Sequence, residues 1–179
     1  AIARVITTFG RIDILVNNAG TNIPEPFLDV SLEHLDTILN LNLRGAYLMA
    51  QAVARSMMER GKGGSIIHMS SQMGHVGAPN RTAYCASKHA IEGLTKAMGI
   101  ELAPHAIRTN SVGPTFVETP LAAGFLKDPT FAKDVLERIP MGKLGQVEDV
   151  ADAVVYLAAP ASKMVTGTSL LVDGGWTAR

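Results

Sequence analysis

Short apolar runs bounded by turn residues alternate along this chain with longer stretches in which apolar positions recur every three or four residues. The run 11–17 (RIDILVN) follows Gly10 and is broken by NNAG at 17–20, the pattern of a strand buried on both faces. Residues 65–69, 107–112 and 169–172 read as three further strands. Residues 1–9 look like the end of an amphipathic helix stopped by Gly10. Ser31 is a good N-cap for a long helix to about Arg60, its core stripe supplied by Leu32, Leu35, Ile38, Leu39, Leu43 and Tyr47. Further helices are predicted over 82–103, ended by Pro104, and over 147–158. Between them, 114–144 reads as a long irregular stretch with short helical pieces. Strand–helix alternation with apolar strands implies an α/β fold, a parallel sheet with helices on both faces. There is no internal repeat or linker, so 1–179 is taken as one domain. Reactive groups in such sheets gather at the carboxyl ends of strands. Asn17, Ser71 and the 113–119 stretch all fall just after strands and can converge.

Composition narrows the function classes. Of 179 residues, 47% are apolar and 18% charged, which suits a buried sheet rather than a disordered chain. The formal net charge is zero and the basic residues form no runs, so nothing favours a nucleic-acid or anionic-membrane partner. No apolar run approaches a membrane span, and no secretory pattern opens the chain. The single cysteine, Cys85, rules out an internal disulfide framework and fits a reducing, cytoplasmic setting. The five histidines show no paired metal spacing, so no metal site is expected.

The chemistry concentrates in Ser70 to Lys88. Tyr84 and Lys88 stand at i,i+4, on one face of a helix. An ammonium close to a phenol favours phenolate and draws its pKa from ~10 towards neutrality, which suits proton exchange with an alcohol or carbonyl oxygen. Ser71, thirteen residues before the tyrosine, could hold that oxygen. Alone, such a pair equally fits a helix whose Tyr packs and whose Lys is solvated.

Other motifs agree with the reactive reading. NNAG at 17–20, LNLRG around Asn42, Ser71, YCASK at 84–88, RTNSVGPTFVETP at 108–120 and LLVDGGW at 170–176 together resemble the short-chain dehydrogenase/reductase family, in its order and spacing. The resemblance implies a Rossmann-like, doubly wound sheet and an oxidoreductase interconverting a secondary alcohol and a ketone with NAD or NADP. It makes Tyr84 the acid/base, Lys88 the residue that lowers its pKa and holds the nicotinamide ribose, and Ser71 the group that orients the substrate oxygen. Asn42 becomes the anchor of a water that links Lys88 to solvent. Asn17, Ala19 and Gly20 belong to the adenine-side ribose. Pro114, Val117 and Thr119 belong to the nicotinamide carboxamide, held by the Val117 backbone and the Thr119 hydroxyl. Thr115 stands where the family usually has Gly, a pairing shared with some sugar and dicarbonyl reductases, and points to a polyol or sugar-type substrate.

The resemblance also carries an absence. No G-x-G-x-x-G or T-G-x-x-x-G-x-G occurs in this chain, so its choice between NAD and NADP is unreadable. The chain opens on Ala1 in mid-helix pattern, and relatives with this motif order carry about 70 residues more upstream, including the first three strands. A longer native protein is therefore expected. In these residues alone 11–17 becomes the sheet edge, and coenzyme binding should be poor. The family also implies a homotetramer formed by the helices near 32–60 and 82–103, with Leu48, Met49, Met57 and Met58 as apolar residues beyond one face. A substrate lid is expected over 115–143 from Phe116, Leu121, Phe125, Leu126 and Phe131. The alternatives are a 3-oxoacyl carrier-protein reductase, for which no clear basic patch exists, and a non-catalytic fragment acting as a binding or structural protein.

Overall fold

The computed structural model describes residues 2–119, 122, 124 and 126–178. Four parallel strands, β1 (Ile14–Asn17), β2 (Gly64–Met69), β3 (Ile107–Pro114) and β4 (Ser169–Val172), stand side by side in chain order. The register sets Asn17 opposite His68 and Met69 opposite Val112, so the ends of β1 and β2 open towards the same rim. Helix α1 (Ile2–Phe9) stops at Gly10, whose left-handed φ of 80° lets its N–H return to the Ile6 carbonyl.

One face of the sheet is covered by α3 (Ala46–Arg60) and α4 (Thr82–Leu102). Ala50, Val53 and Met57 of α3 pack there on Ile66 and Ile107, with Leu15, Met98 and Leu102 around them. The other face is covered by α6 (Val147–Ala158), whose Ala153 and Leu157 meet Ile67 and Val112. Helices on both faces bear out the doubly wound expectation. All three crossovers step across the sheet in the same direction, but α6 lies opposite α3 and α4. The β3–α6–β4 crossover therefore has the opposite hand to the two before it, a departure from the near-universal right-handed rule.

The long helix expected over 31–60 is interrupted. Ser31 caps α2 (Leu32–Leu39), accepting from the His34 N–H at 3.1 Å, but Asn40–Gly45 is a π-helical segment before α3 begins. The wider π turn advances the side-chain phase, so the helical stripe does not carry through. Ile38 is buried, yet Tyr47, placed on that stripe by periodicity, is half exposed. Met57 needs the reverse correction. Expected on an outward face, it is 1% exposed, and its sulfur lies where a Cβ on Gly64 would fall. Within the irregular 114–144 stretch stands α5 (Pro129–Arg138), started by Asp128, whose carboxylate accepts from the Thr130 N–H at 2.9 Å, and by Pro129 in the first turn. At the open edge, Ile14 and Val16 of β1 are 48% and 39% exposed.

Candidate active site

Ser71 leaves β2 in an extended conformation (φ −166°, ψ 158°), and its hydroxyl accepts from the Met73 N–H at 3.1 Å. Gly113 of β3 allows the close approach, because a Cβ there would meet Ser71 backbone at 3.4 Å and a Leu171 methyl at 2.9 Å. Tyr84 is in the first turn of α4, which packs against the segment after β2, and its phenol hydrogen-bonds the Ser71 side chain. Ser71 and Tyr84 share a cavity of about 210 Å³ with Asn22, Gln72, Arg81 and Thr115. Lys88, one turn along α4, is 5% exposed; its ammonium donates to the Met69 carbonyl at 2.8 Å and lies 5.4 Å from the Tyr84 ring centroid. The structure brings the three together.

The electrostatics differ from the expectation drawn from spacing. Burial pushes the Tyr84 phenol above its ordinary value, and the Ser71 hydrogen bond and the Arg81 guanidinium offset only part of that rise. Apolar walls from Met73, Phe116 and Val117 disfavour a phenolate. Lys88 is not the source of the pull, because its ammonium sits over the ring and is directed at the end of β2. Burial also lowers the Lys88 ammonium to about 8, against an opposing pull from Glu92. A phenol held protonated at neutral pH is set up as an acid, the form needed to reduce a carbonyl.

Asn42, 2% exposed, lies inside the π segment and is not a surface residue. Its amide donates to the Thr21 carbonyl (2.9 Å) and to the Ser87 hydroxyl (3.1 Å), and its oxygen accepts from the Thr21 N–H (2.8 Å). The side chain thus clamps the turn after β1 onto α4. With both its N–H groups and its oxygen so engaged, any water it holds would be held through its main chain. Asn17 is similarly committed, donating to the Ala46 carbonyl at 3.0 Å and sitting 3.2 Å from Nδ1 of His68. His68 is 1% exposed, and burial, with Lys88 nearby, lowers it to about 4.

The residues expected to hold coenzyme line the same rim. Ala19 and Gly20 lie in the turn after β1. A Cβ on Gly20 would stand 3.3 Å from the Asn42 oxygen and 3.7 Å from the Lys88 ammonium, so glycine keeps that side of Lys88 open. Pro114 ends β3, and the chain is then held by Gly145, which donates to the Phe116 carbonyl and accepts from the Glu118 N–H. In that parallel bridge the backbone groups of Val117 point away from Gly145. The Thr119 hydroxyl accepts from the Ala122 N–H at 3.2 Å and keeps its own hydrogen for another acceptor. An open approach to a buried ammonium, a backbone edge and a free hydroxyl proton fit the ribose and carboxamide of a nicotinamide coenzyme. Of the lid residues, Phe116 packs edge-on against Phe131 at 5.7 Å and tilted against Trp176 at 5.9 Å, so these aromatics hold the loop down. Leu121 and Phe125 lie outside the described residues.

Sequence reasoning missed Arg81 and Asn22 as cavity residues. Arg81 could have been suspected from its place three residues before Tyr84, at the start of the same helix. Asn22 carried no signal beyond following NNAG.

Comparison with known proteins agrees with the geometry. The family described as enoyl-(acyl carrier protein) reductase matches residues 1–177. The chain is 44% identical to L-xylulose reductase of Mus musculus, over 99% of this chain and 73% of that protein. It is 36% identical to 2-dehydro-3-deoxy-D-gluconate 5-dehydrogenase of Dickeya dadantii, over 99% of this chain and 70% of that one. The structure of a gluconate 5-dehydrogenase from Burkholderia cenocepacia, in complex with NADP and tartrate, superposes with a TM-score of 0.97 at 37% identity, covering 100% of this chain and 70% of that one. The chain belongs to the short-chain dehydrogenase/reductase family of NAD(P)-dependent oxidoreductases, which interconvert alcohols and ketones.

Proposed function

We propose that this protein reduces the ketone of a polyol- or sugar-type substrate and reoxidises the alcohol, with Tyr84 moving the proton. The observation that carries this reading is the shared cavity of Ser71 and Tyr84 with Lys88 one helical turn behind. Ser71 holds the carbonyl oxygen, and the Tyr84 hydroxyl gives it a proton as the oxygen gains electrons. The nicotinamide coenzyme supplies the hydride that ends on the carbonyl carbon. Lys88 holds the nicotinamide ribose hydroxyls on the side that Gly20 leaves open, and Asn17, Ala19 and Gly20 form the wall towards the adenine-side ribose. Pro114, Val117 and Thr119 hold the carboxamide. Asn42 keeps that wall registered with α4 and supports the water that connects Lys88 to solvent. The relatives named for xylulose and gluconate chemistry support the sugar-type substrate.

The assembly is a homotetramer in this reading. Tyr47, Leu48, Met49 and Met58 of α3 and Ile100 of α4 are exposed, and Tyr47 and Met58 line a groove between the two helices. The single cysteine supports a cytoplasmic setting. Among the described residues no helix is long and apolar enough to cross a membrane.

The test is calorimetric titration of the complete protein with NADH and NADPH, followed by a ketose and diketone panel with whichever binds. Binding with turnover of at least one carbonyl is expected. Binding of neither coenzyme would instead support a structural role.

A further inference from the structure

Behind the site the sheet carries a row of polar side chains. Asn17, His68, Ser111 and Ser169 are register partners across all four strands, so their side chains share one face. That face is the one covered by α3 and α4, where Ile66 and Ile107 otherwise make an apolar core. Glu92 of α4, 5% exposed, brings a carboxylate to the row. One of its oxygens accepts from the Ser111 hydroxyl at 2.9 Å, and the other accepts from the Ser169 hydroxyl at 3.2 Å. That second oxygen also lies 3.4 Å from Nε2 of His75, in the loop between Ser71 and Tyr84. Two hydroxyls from adjacent strands thus pin the carboxylate.

Burying a carboxylate is costly unless an opposite charge faces it. Lys88 supplies that charge: it stands one turn before Glu92 on the same helix face and is itself buried. The turn Gln72–Gly74, buried throughout, covers the helix at this point. A Cβ on Gly74 would stand 3.1 Å from both the Glu92 Cγ and the Lys88 carbonyl, so glycine lets the turn lie directly on α4. Charges so enclosed are poorly screened and act strongly on each other. Burial brings Lys88 down to about 8 even with Glu92 pulling the other way, so the ammonium has little margin above neutrality. Among the described residues, the other titratable groups facing the pair are Tyr84 on α4, His68 on β2 and His75. Strands β3 and β4 present the two serines, and Gly20 and Asn42 stand on the open side.

We propose that Glu92 is a positioning residue of the reaction: pinned by Ser111 and Ser169, its carboxylate keeps Lys88 charged, so that the ammonium goes on holding the coenzyme ribose as the pH rises. The proposal rests on the role given to Lys88 above. Glu92 acts only through Lys88, and no bond or proton of the reaction passes through it.

The test is the pH profile of kcat/KM for diacetyl reduction by the complete protein with its coenzyme, from about pH 6 to 10. Loss of the charged lysine gives the alkaline limb. Glu92→Gln keeps the shape and removes the charge, so the limb should move about 1–2 pH units towards neutrality. Glu92→Asp keeps the charge but loses reach to the serines, and its limb should stay within about 0.5 pH units of wild type. A purely structural role predicts the reverse order, because Gln is the closer fit. Should Glu92→Gln not fold, Glu92→Met with Ser111→Ala replaces the carboxylate and one of its donors by apolar groups, and the same shift is expected. Affinity for NADH or NADPH, whichever binds, titrated calorimetrically over the same range, reads the limb without turnover and should weaken earlier in Glu92→Gln. A Glu92→Gln limb moved by less than about 0.5 pH units, or one that Glu92→Asp moves as far, overturns the assignment of Glu92 and leaves the functional reading intact. If the wild type binds neither coenzyme and reduces no carbonyl, the functional reading fails, and this inference with it.

Discussion

Single residues in this site are set by burial more than by pairing. His68 shows the consequence. It is 1% exposed and lowered to about 4, from an ordinary value of 6.5. Above pH 6.5 the folded and unfolded forms are both neutral at this position, and His68 costs nothing. Below it the unfolded chain takes up a proton that the folded chain refuses, so stability falls until the pH reaches about 4. A shift of this size corresponds to about 3 kcal/mol. Urea titrations from pH 7 to 4 should show His68→Gln losing less stability over that window than wild type. Parallel pH profiles for the two proteins would mean that His68 titrates normally. Tyr84 and Lys88 follow the same logic. The helical spacing placed both correctly, but it suggested that the lysine tunes the phenol, whereas the structure has an apolar wall raising it and Ser71 and Arg81 opposing the rise.

At the scale of elements, the decisive feature is the π segment Asn40–Gly45 that turns Asn42 inward. π turns inserted in α-helices recur at functional sites. Here the inserted turn lets one side chain bond the Thr21 backbone and Ser87 at once. Asn42→Ala removes those three bonds and leaves buried groups unsatisfied, a loss of about 2–4 kcal/mol. Denaturant unfolding measures it, and a loss under about 0.5 kcal/mol would show that the clamp is idle. Sequence alone could not locate this turn. Leu32, Leu35, Ile38 and Leu39 carry a regular stripe, and no Pro or Gly marks the break before Gly45. The stripe therefore predicted an inward Tyr47, which is half exposed because phase was lost; the outward Met57 came from the expected assembly, and the buried Met57 corrects it. Helix 147–158 and strand 169–172 were legible to the residue, because turn residues and a polar start bound them. Arg81 carried only the signal of its place three residues before Tyr84, since an arginine at a helix start otherwise reads as solvated until the fold brings Phe131 beside it.

For the whole molecule, the sheet explains why residues distant in sequence meet at one rim. Parallel register aligns the ends of β1 and β2, and the segments after β1, β2 and β3 contribute the wall, Ser71 and the 115–119 edge. The reversed hand of the last crossover places α6 on the opposite face of the sheet from α3 and α4, whose outer surfaces are exposed. Light scattering at micromolar concentration should give four times the chain mass, and Leu48→Glu with Met58→Glu should lower it to dimer or monomer. A wild-type monomer would contradict the proposed assembly.

The central claim is that Tyr84 delivers the proton. Its most direct test is steady-state turnover of Tyr84→Phe in the complete protein, with coenzyme affinity measured in parallel. The variant keeps the ring and removes only the hydroxyl. Turnover should fall by at least about 10²–10⁴-fold, the range for losing a positioned acid–base group, with coenzyme affinity nearly unchanged. Turnover close to wild type would contradict the account.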